Sequence, residues 1–226
     1  MATTVETTPS RTLTSAAGIG IAVGIYGVSF GVLAVAAGLS PAQACVMSML
    51  VFTGASQFAF IGVLAGGGGA LAALGPAVVL ALRNAAYGLS LVPILPSRLR
   101  HRALLAHLVI DETTAMARAQ DEPGSARRAF VATGLSVWLC WTAGTLVGAL
   151  LGGGLGDPRS LGLDAMFPAA FLALLAPQLR PPGAPVAAIA GAMIAVVALP
   201  FVPTGVPVIA ALVGVVPAVL VARGAR

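Results

Sequence analysis

From Ala16 to Leu39 the chain carries no charged side chain, and the same holds from Ala42 to Ala65 and from Ala129 to Leu151. A helix needs about 20 apolar residues to cross the roughly 30 Å hydrocarbon core of a bilayer, so each block has the length of a span. The blocks are continuous apolar runs, not the one-sided stripes of a helix lying on a soluble core. Composition agrees: 58% of the residues are hydrophobic and 8% charged, with a mean hydropathy of +1.01. A soluble domain keeps about 25% charged residues. Only helices and closed barrels satisfy their backbone groups in lipid. Strand-like alternation is absent and Ala, Gly and Leu dominate, which argues against a barrel. The fold class expected is all-α, a polytopic transmembrane helical bundle.

Residues 1–15 are polar and Thr-rich and read as a disordered tail, with residues 16–226 forming a single transmembrane domain. The first block is too long for a signal-peptide core and lacks a basic start, so it is expected to be a retained helix. Ser40-Pro41 breaks the chain before the second block, which ends in the turn Gly66-Gly67-Gly68-Gly69. A third block runs from Ala70 to about Leu95 and carries Pro76, Arg83, Asn84 and Pro93. The stretch 98–128 is the most polar, and within it 103–118 reads as a short amphipathic helix, cytoplasmic or re-entrant. Ala129–Leu151, Leu163–Leu179, Ala184–Pro200 and Gly205–Ala222 bring the expectation to about seven spans. The runs Phe30 to Pro41 and Phe171 to Pro182 each end in Pro, a hint of an inverted repeat.

The net charge is +5, and every basic residue is Arg. No basic face interleaved with aromatics appears, so the charge does not point to nucleic acid. It reports orientation instead. With the amino terminus outside, the Arg-rich 98–128 stretch, Arg180, Arg223 and Arg226 all fall in the cytoplasm, as the positive-inside rule asks. Cys45 and Cys140 both lie within apolar blocks and read as small buried hydrophobes, not as a disulfide or a metal site. No HExxH, GxSxG, P-loop lysine or dinucleotide fingerprint is present, so neither an enzyme nor a cofactor is expected. A chain of this kind moves something across a bilayer, passively or driven by an ion gradient.

Polar groups inside a span each need a reason, since a charge there costs about 2.5–3.5 kcal/mol on insertion scales. Phe52-Thr53-Gly54-Ala55-Ser56-Gln57-Phe58 sits at the centre of the second block. Small residues there serve close helix packing, with Gln57 bonded across the interface, or a substrate-facing, discontinuous segment. Arg83, Asn84 and Tyr87 share one face of the third block. Arg83 suits a two-pronged bond to a substrate carboxylate, or snorkels to headgroups. Blocks two and three are joined by a short turn, so they are expected to be antiparallel neighbours whose polar faces, Gln57, Ser56 and the carbonyls near Gly54 on one and Arg83 on the other, meet near mid-membrane beside Phe52 and Phe58. His107 and Asp111 are four apart, followed by Glu112, Thr114 and Arg118. That spacing fits a proton relay, or the solvated side of an amphipathic helix, and it offers no third metal ligand. Asp164 either caps the fifth block or couples proton movement at its entrance.

Taken in order, Tyr26-Gly27-Val28-Ser29-Phe30-Gly31, Leu39-Ser40-Pro41, Phe52 to Phe58, Leu82-Arg83-Asn84, Tyr87-Gly88-Leu89-Ser90, His107 to Glu112, Leu163-Asp164 and Phe167-Pro168-Ala169-Ala170-Phe171 resemble the AzlC family. The likeness runs from about Gly24 to Ala176. Members of that family are large subunits of two-subunit branched-chain amino acid exporters of bacteria. The resemblance implies export of valine, leucine, isoleucine and methionine through the inner membrane, with a small AzlD-type hydrophobic subunit as partner. Relatives often carry His where this chain has Asn84, which puts proton coupling on His107, Asp111, Glu112 or Asp164. The rival reading is a channel-like or scaffold subunit whose partner holds the substrate site.

Overall fold

Ser40 opens the second helix by a reciprocal exchange. The Gln43 N–H donates to its hydroxyl at 3.2 Å and the Ser40 N–H donates to the Gln43 side-chain oxygen at 2.8 Å, with Pro41 in the first helical position. This computed structural model describes residues 9–154, 169, 172 and 175–224. All regular structure among the described residues is helical. In chain order the helices are α1 (Pro9–Ala36), α2 (Pro41–Leu50), α3 (Gly54–Ala65), α4 (Ala70–Ser90), α5 (Leu99–Ala106), α6 (Asp111–Arg118) and α7 (Pro123–Gly154). Further along the chain come α8 (Ala184–Ala198), α9 (Val206–Ala210) and α10 (Val215–Gly224), the last two joined by the 3-10 turn Ala211–Gly214.

Helices α1, α4 and α7 have 28, 21 and 32 residues, about 42, 32 and 48 Å of length. They are long and apolar enough to cross a membrane. Helix α1 starts at Pro9, inside the stretch expected to be a disordered tail. The second block is not one span but two short helices, α2 and α3, separated at 51–53. The single helix expected over 103–118 is likewise two, α5 and α6, with a break at 107–110. Most of the fifth block, Asp164 and part of the proposed repeat lie outside the described residues.

The described chain divides into two compact units. The first holds α1 to Val35, α2, the carboxyl-terminal half of α4 from Ala81, α5, α6 and α7. Its seam is the approach of α1 to α7. A Cβ built on Gly27 would stand 2.6 Å from the Trp141 carbonyl oxygen. Cβ atoms on Gly31, Gly144 and Gly148 would overlap backbone of the facing helix outright. Small residues every fourth position permit this contact between transmembrane helices. Phe30 stacks on Trp141, centroids 5.7 Å apart. Helix α2 is tied to α7 at its carboxyl-terminal end. The Trp138 Nε1–H donates to the Met49 carbonyl at 3.2 Å, and the Ser48 and Thr145 hydroxyls meet at 2.6 Å. Because Thr145 Oγ1 donates to the Trp141 carbonyl, Ser48 is the donor to Thr145.

The second unit takes α3 from Ala55, α4 to Leu80, and α8 to α10. Gly67, with φ of 82°, supplies the left-handed residue of the turn between α3 and α4. Helix α8 packs on the 3-10 turn and on α10, where Gly191 meets Ala211. Across both units the buried positions are largely small, whereas Ile21, Ile25, Leu71, Leu139, Leu150 and Val197 are exposed. Large apolar side chains pointing outward suit hydrocarbon, where burial between helices brings no hydrophobic gain. Cys45 and Cys140 are both free and half-buried.

Candidate functional site

The break between α2 and α3 comes at Val51-Phe52-Thr53. Val51 closes α2 by donating to the Met47 carbonyl at 2.8 Å, and the Thr53 N–H turns back to the Val51 carbonyl. Gly54 then starts α3 beneath Trp141, whose ring edge would lie 3.2 Å from any Cβ there. This non-helical stretch forms one wall of a cleft of about 500 Å³. Asn84 and Gly88 of α4 and His107 and Val109 of the α5–α6 connection line the rest, with Phe52 and Thr53. The Phe52 ring faces the His107 ring at 5.7 Å.

The α5–α6 connection is built by its own sequence. Leu108, Val109 and Ile110 are all buried, and Leu108 packs into the space left by Gly134 of α7. Thr113 fastens the turn: its hydroxyl accepts from the Ile110 N–H at 3.0 Å and donates to the Leu108 carbonyl at 2.7 Å. Because the helix stops at Ala106, His107 and Asp111 do not share a helical face as their spacing suggested. His107 goes to Phe52, and Asp111 goes to Arg83.

That second contact was not visible as a local pattern. Arg83 Nη1 donates to Asp111 Oδ2 at 2.8 Å, so the cation of α4 meets a carboxylate of α6. Tyr87, four residues along α4, stands near enough to this pair to feel both its charges. The pair is closed by one bond only. Arg83 Nε and Asp111 Oδ1 are covered yet have no hydrogen-bond partner, and the same is true of Asn84 Oδ1.

Glu112 stands beside the pair on α6, outside the three long apolar helices. Burial pushes its carboxyl up from the ordinary glutamate range, opposed by a bond from its own backbone, raised further by the Asp111 charge and lowered by Arg83. A carboxyl raised in the folded state binds its proton more tightly there. It therefore favours the fold below the ordinary value of about 4.3, and that contribution is lost as pH rises through the raised value. Glu112→Gln should flatten the fall in thermal stability of the detergent-solubilised protein on going from acid to neutral pH. An unchanged slope in melting temperature against pH would show that Glu112 does not titrate there.

Ser56, Gln57 and Phe58 are all buried, in the second unit. Gln57 is fully covered, and neither its Oε1 nor its Nε2 has a hydrogen-bond partner. Asp164, the remaining candidate, lies outside the described residues.

A profile of the family described as AzlC protein matches residues 18–155. The inner membrane protein YgaZ of Escherichia coli (strain K12) is 32% identical over 155 residues, covering 65% of this chain and 63% of that protein. The chain thus aligns with somewhat less than two thirds of the length of its curated relative. No solved structure matches. The family match takes in Phe52, Arg83, Asn84, His107, Asp111 and Glu112, and ends before Asp164.

Proposed function

This chain belongs to the AzlC family, and from that premise we propose that it exports hydrophobic amino acids of the valine, leucine, isoleucine and methionine class, in company with a small AzlD-like membrane subunit. A membrane protein with a part in transport is what the family and the three long apolar helices support. The finer reading is carried by the cleft at the α2–α3 break. Its volume of about 500 Å³ falls within the roughly 300–1,000 Å³ usual for small-molecule sites. Phe52 and Val109 give an aliphatic side chain an apolar wall. Asn84, Thr53 and His107 stand where the polar end of an amino acid would lie.

In this reading Arg83 takes the substrate carboxylate, because a zwitterion leaving water meets a steep desolvation cost unless both ends are paired. Gln57, with Ser56 and Phe58, is a second substrate-facing segment, its covered amide having capacity to spare. Proton coupling falls to Glu112, whose carboxyl holds its proton more tightly than an exposed one. Labelled leucine loaded into cells should leave against its gradient when the chain and its small subunit are both present. Efflux should fall about tenfold or more without the subunit, and collapse when a protonophore discharges the membrane. Efflux only down the leucine gradient would instead make the chain a channel-like or scaffold component.

The orientation follows the Arg-rich segment. Arg98 and Arg100 of the α5 region are exposed, and loops dense in Arg resist translocation. A tag before Pro9 should be reached by a membrane-impermeant label from outside, and a tag after Arg226 only once the membrane is opened. Both tags reacting from one side would overturn the assigned topology.

A further inference from the structure

We infer that the Arg83–Asp111 pair is a latch that the two charged ends of an amino acid open and replace, so that recognition demands a free carboxylate and a free ammonium on one molecule. The inference rests on the export reading above and adds Asp111 to it as the ammonium partner.

The geometry of the pair motivates it. A guanidinium can hold a carboxylate by two parallel bonds, the stronger and more specific arrangement. Here only Nη1 and Oδ2 meet, at 2.8 Å. Nε of Arg83 and Oδ1 of Asp111 are removed from solvent and left without partners, a state that costs free energy until something fills it. A pair serving only to fasten α4 to α6 gains by closing both prongs. This one keeps one donor and one acceptor in reserve. Its side chains are 35% and 32% exposed, so it is within reach. It also flanks the cleft: Asn84 follows Arg83 directly, Val109 precedes Asp111 by two residues, and both line the cavity.

Charge balance explains why a zwitterion suits such a pair. When the substrate carboxylate moves onto Arg83 and its ammonium onto Asp111, one ion pair is exchanged for two and no net charge enters the site. The unsatisfied Asn84 Oδ1 offers the ammonium a further acceptor. A carboxylic acid of the same shape leaves Asp111 facing no cation, and an amine leaves Arg83 facing no anion. Separating a partly buried pair without replacing one partner is strongly unfavourable. Sites built around such groups reject analogues that lack the matching one by large factors.

The test is uptake of labelled leucine into inside-out vesicles from cells expressing the full chain with its small subunit. Unlabelled leucine, 4-methylpentanoate and leucinamide are added as competitors. Leucine should compete at concentrations at least ~100-fold below either one-ended analogue. Competition by 4-methylpentanoate or leucinamide within about threefold of leucine overturns the latch while leaving export standing. Absence of any leucine uptake above vesicles lacking the chain overturns the export reading and the latch together. The charge-swapped chain, Arg83→Asp with Asp111→Arg, keeps an ion pair between α4 and α6 but presents each charge from the wrong helix. At parental abundance in the membrane it should lose uptake about 100-fold, and uptake at the parental rate overturns the latch. The competitor series needs no variant, so it decides even where the swapped chain fails to fold.

Discussion

Gly148→Leu should all but remove the protein from the membrane. Gly148 lies on the face of α7 where a Cβ would overlap the Val28 carbonyl of α1. An isobutyl group there cannot escape by changing rotamer, because the obstruction is backbone on both sides. The helices must part, and with them the Phe30–Trp141 stack. Inserting carbon into a packed interior costs about 1–3 kcal/mol when side chains can yield, and here they cannot. The steady-state amount of folded chain should fall at least about tenfold. Leu150→Ala, on the exposed face of the same helix, should leave it near parental. The measurement is the monodisperse fraction of a fluorescent fusion after detergent extraction. Equal recovery of Gly148→Leu and parent would mean that α1 and α7 do not meet through their glycines.

Replacing Arg83 should cut transport by far more than it lowers the amount of protein. Arg83→Leu leaves Asp111 without its cation and the substrate carboxylate without its anchor. A loss of efflux of about 100-fold is expected, about 2.8 kcal/mol at 1.4 kcal/mol for each tenfold. Arg83→Lys keeps the charge and loses the planar fork, so a loss of about tenfold is expected. Efflux of labelled leucine at matched membrane abundance reads both. If Arg83→Lys and Gln57→Ala each export like the parent, neither residue binds substrate and both belong to helix packing.

How far the sequence reaches depends on whether the determinant is local. The long uncharged runs announced α1 and α7, and Ser40-Pro41 marked the break before α2, where the structure adds a capping exchange between residues only three apart. The division of the second block at 51–53 falls at the edge of Phe52–Phe58, where the small and polar run Thr53-Gly54-Ala55-Ser56-Gln57 offers a discontinuous segment as one of two readings. No proline marks the boundary, so its exact position is not legible. The split at 107–110 did carry a signal. Asp111 and Glu112 in the first turn of α6 and Arg118 in its last are the charge pattern of a complete short helix, and Thr113 supplies its fastening. Reading 103–118 as a single amphipathic stretch passed over that pattern. The Arg83–Asp111 pair joins residues on different helices, so no periodicity shows it. A search for the acid that a lone arginine in an apolar helix requires would have found few candidates, since the chain has only 7 acidic residues.

The glycine seam between α1 and α7 also governs how this chain can change over generations. On α7, Gly144, Gly148 and Gly152 recur at every fourth position against α1 backbone, while Leu139, Leu146 and Leu150 face outward. Drift is thereby confined to one side of the cylinder. The outer side tolerates any side chain that lipid accepts, and the inner side tolerates almost none. A saturation library of 139–152 would show forbidden positions four apart at Gly144, Gly148 and Gly152, with free exchange at the outward Leu139, Leu146 and Leu150. A helix that holds none of the candidate site residues is thus still bound to its sequence by a backbone contact.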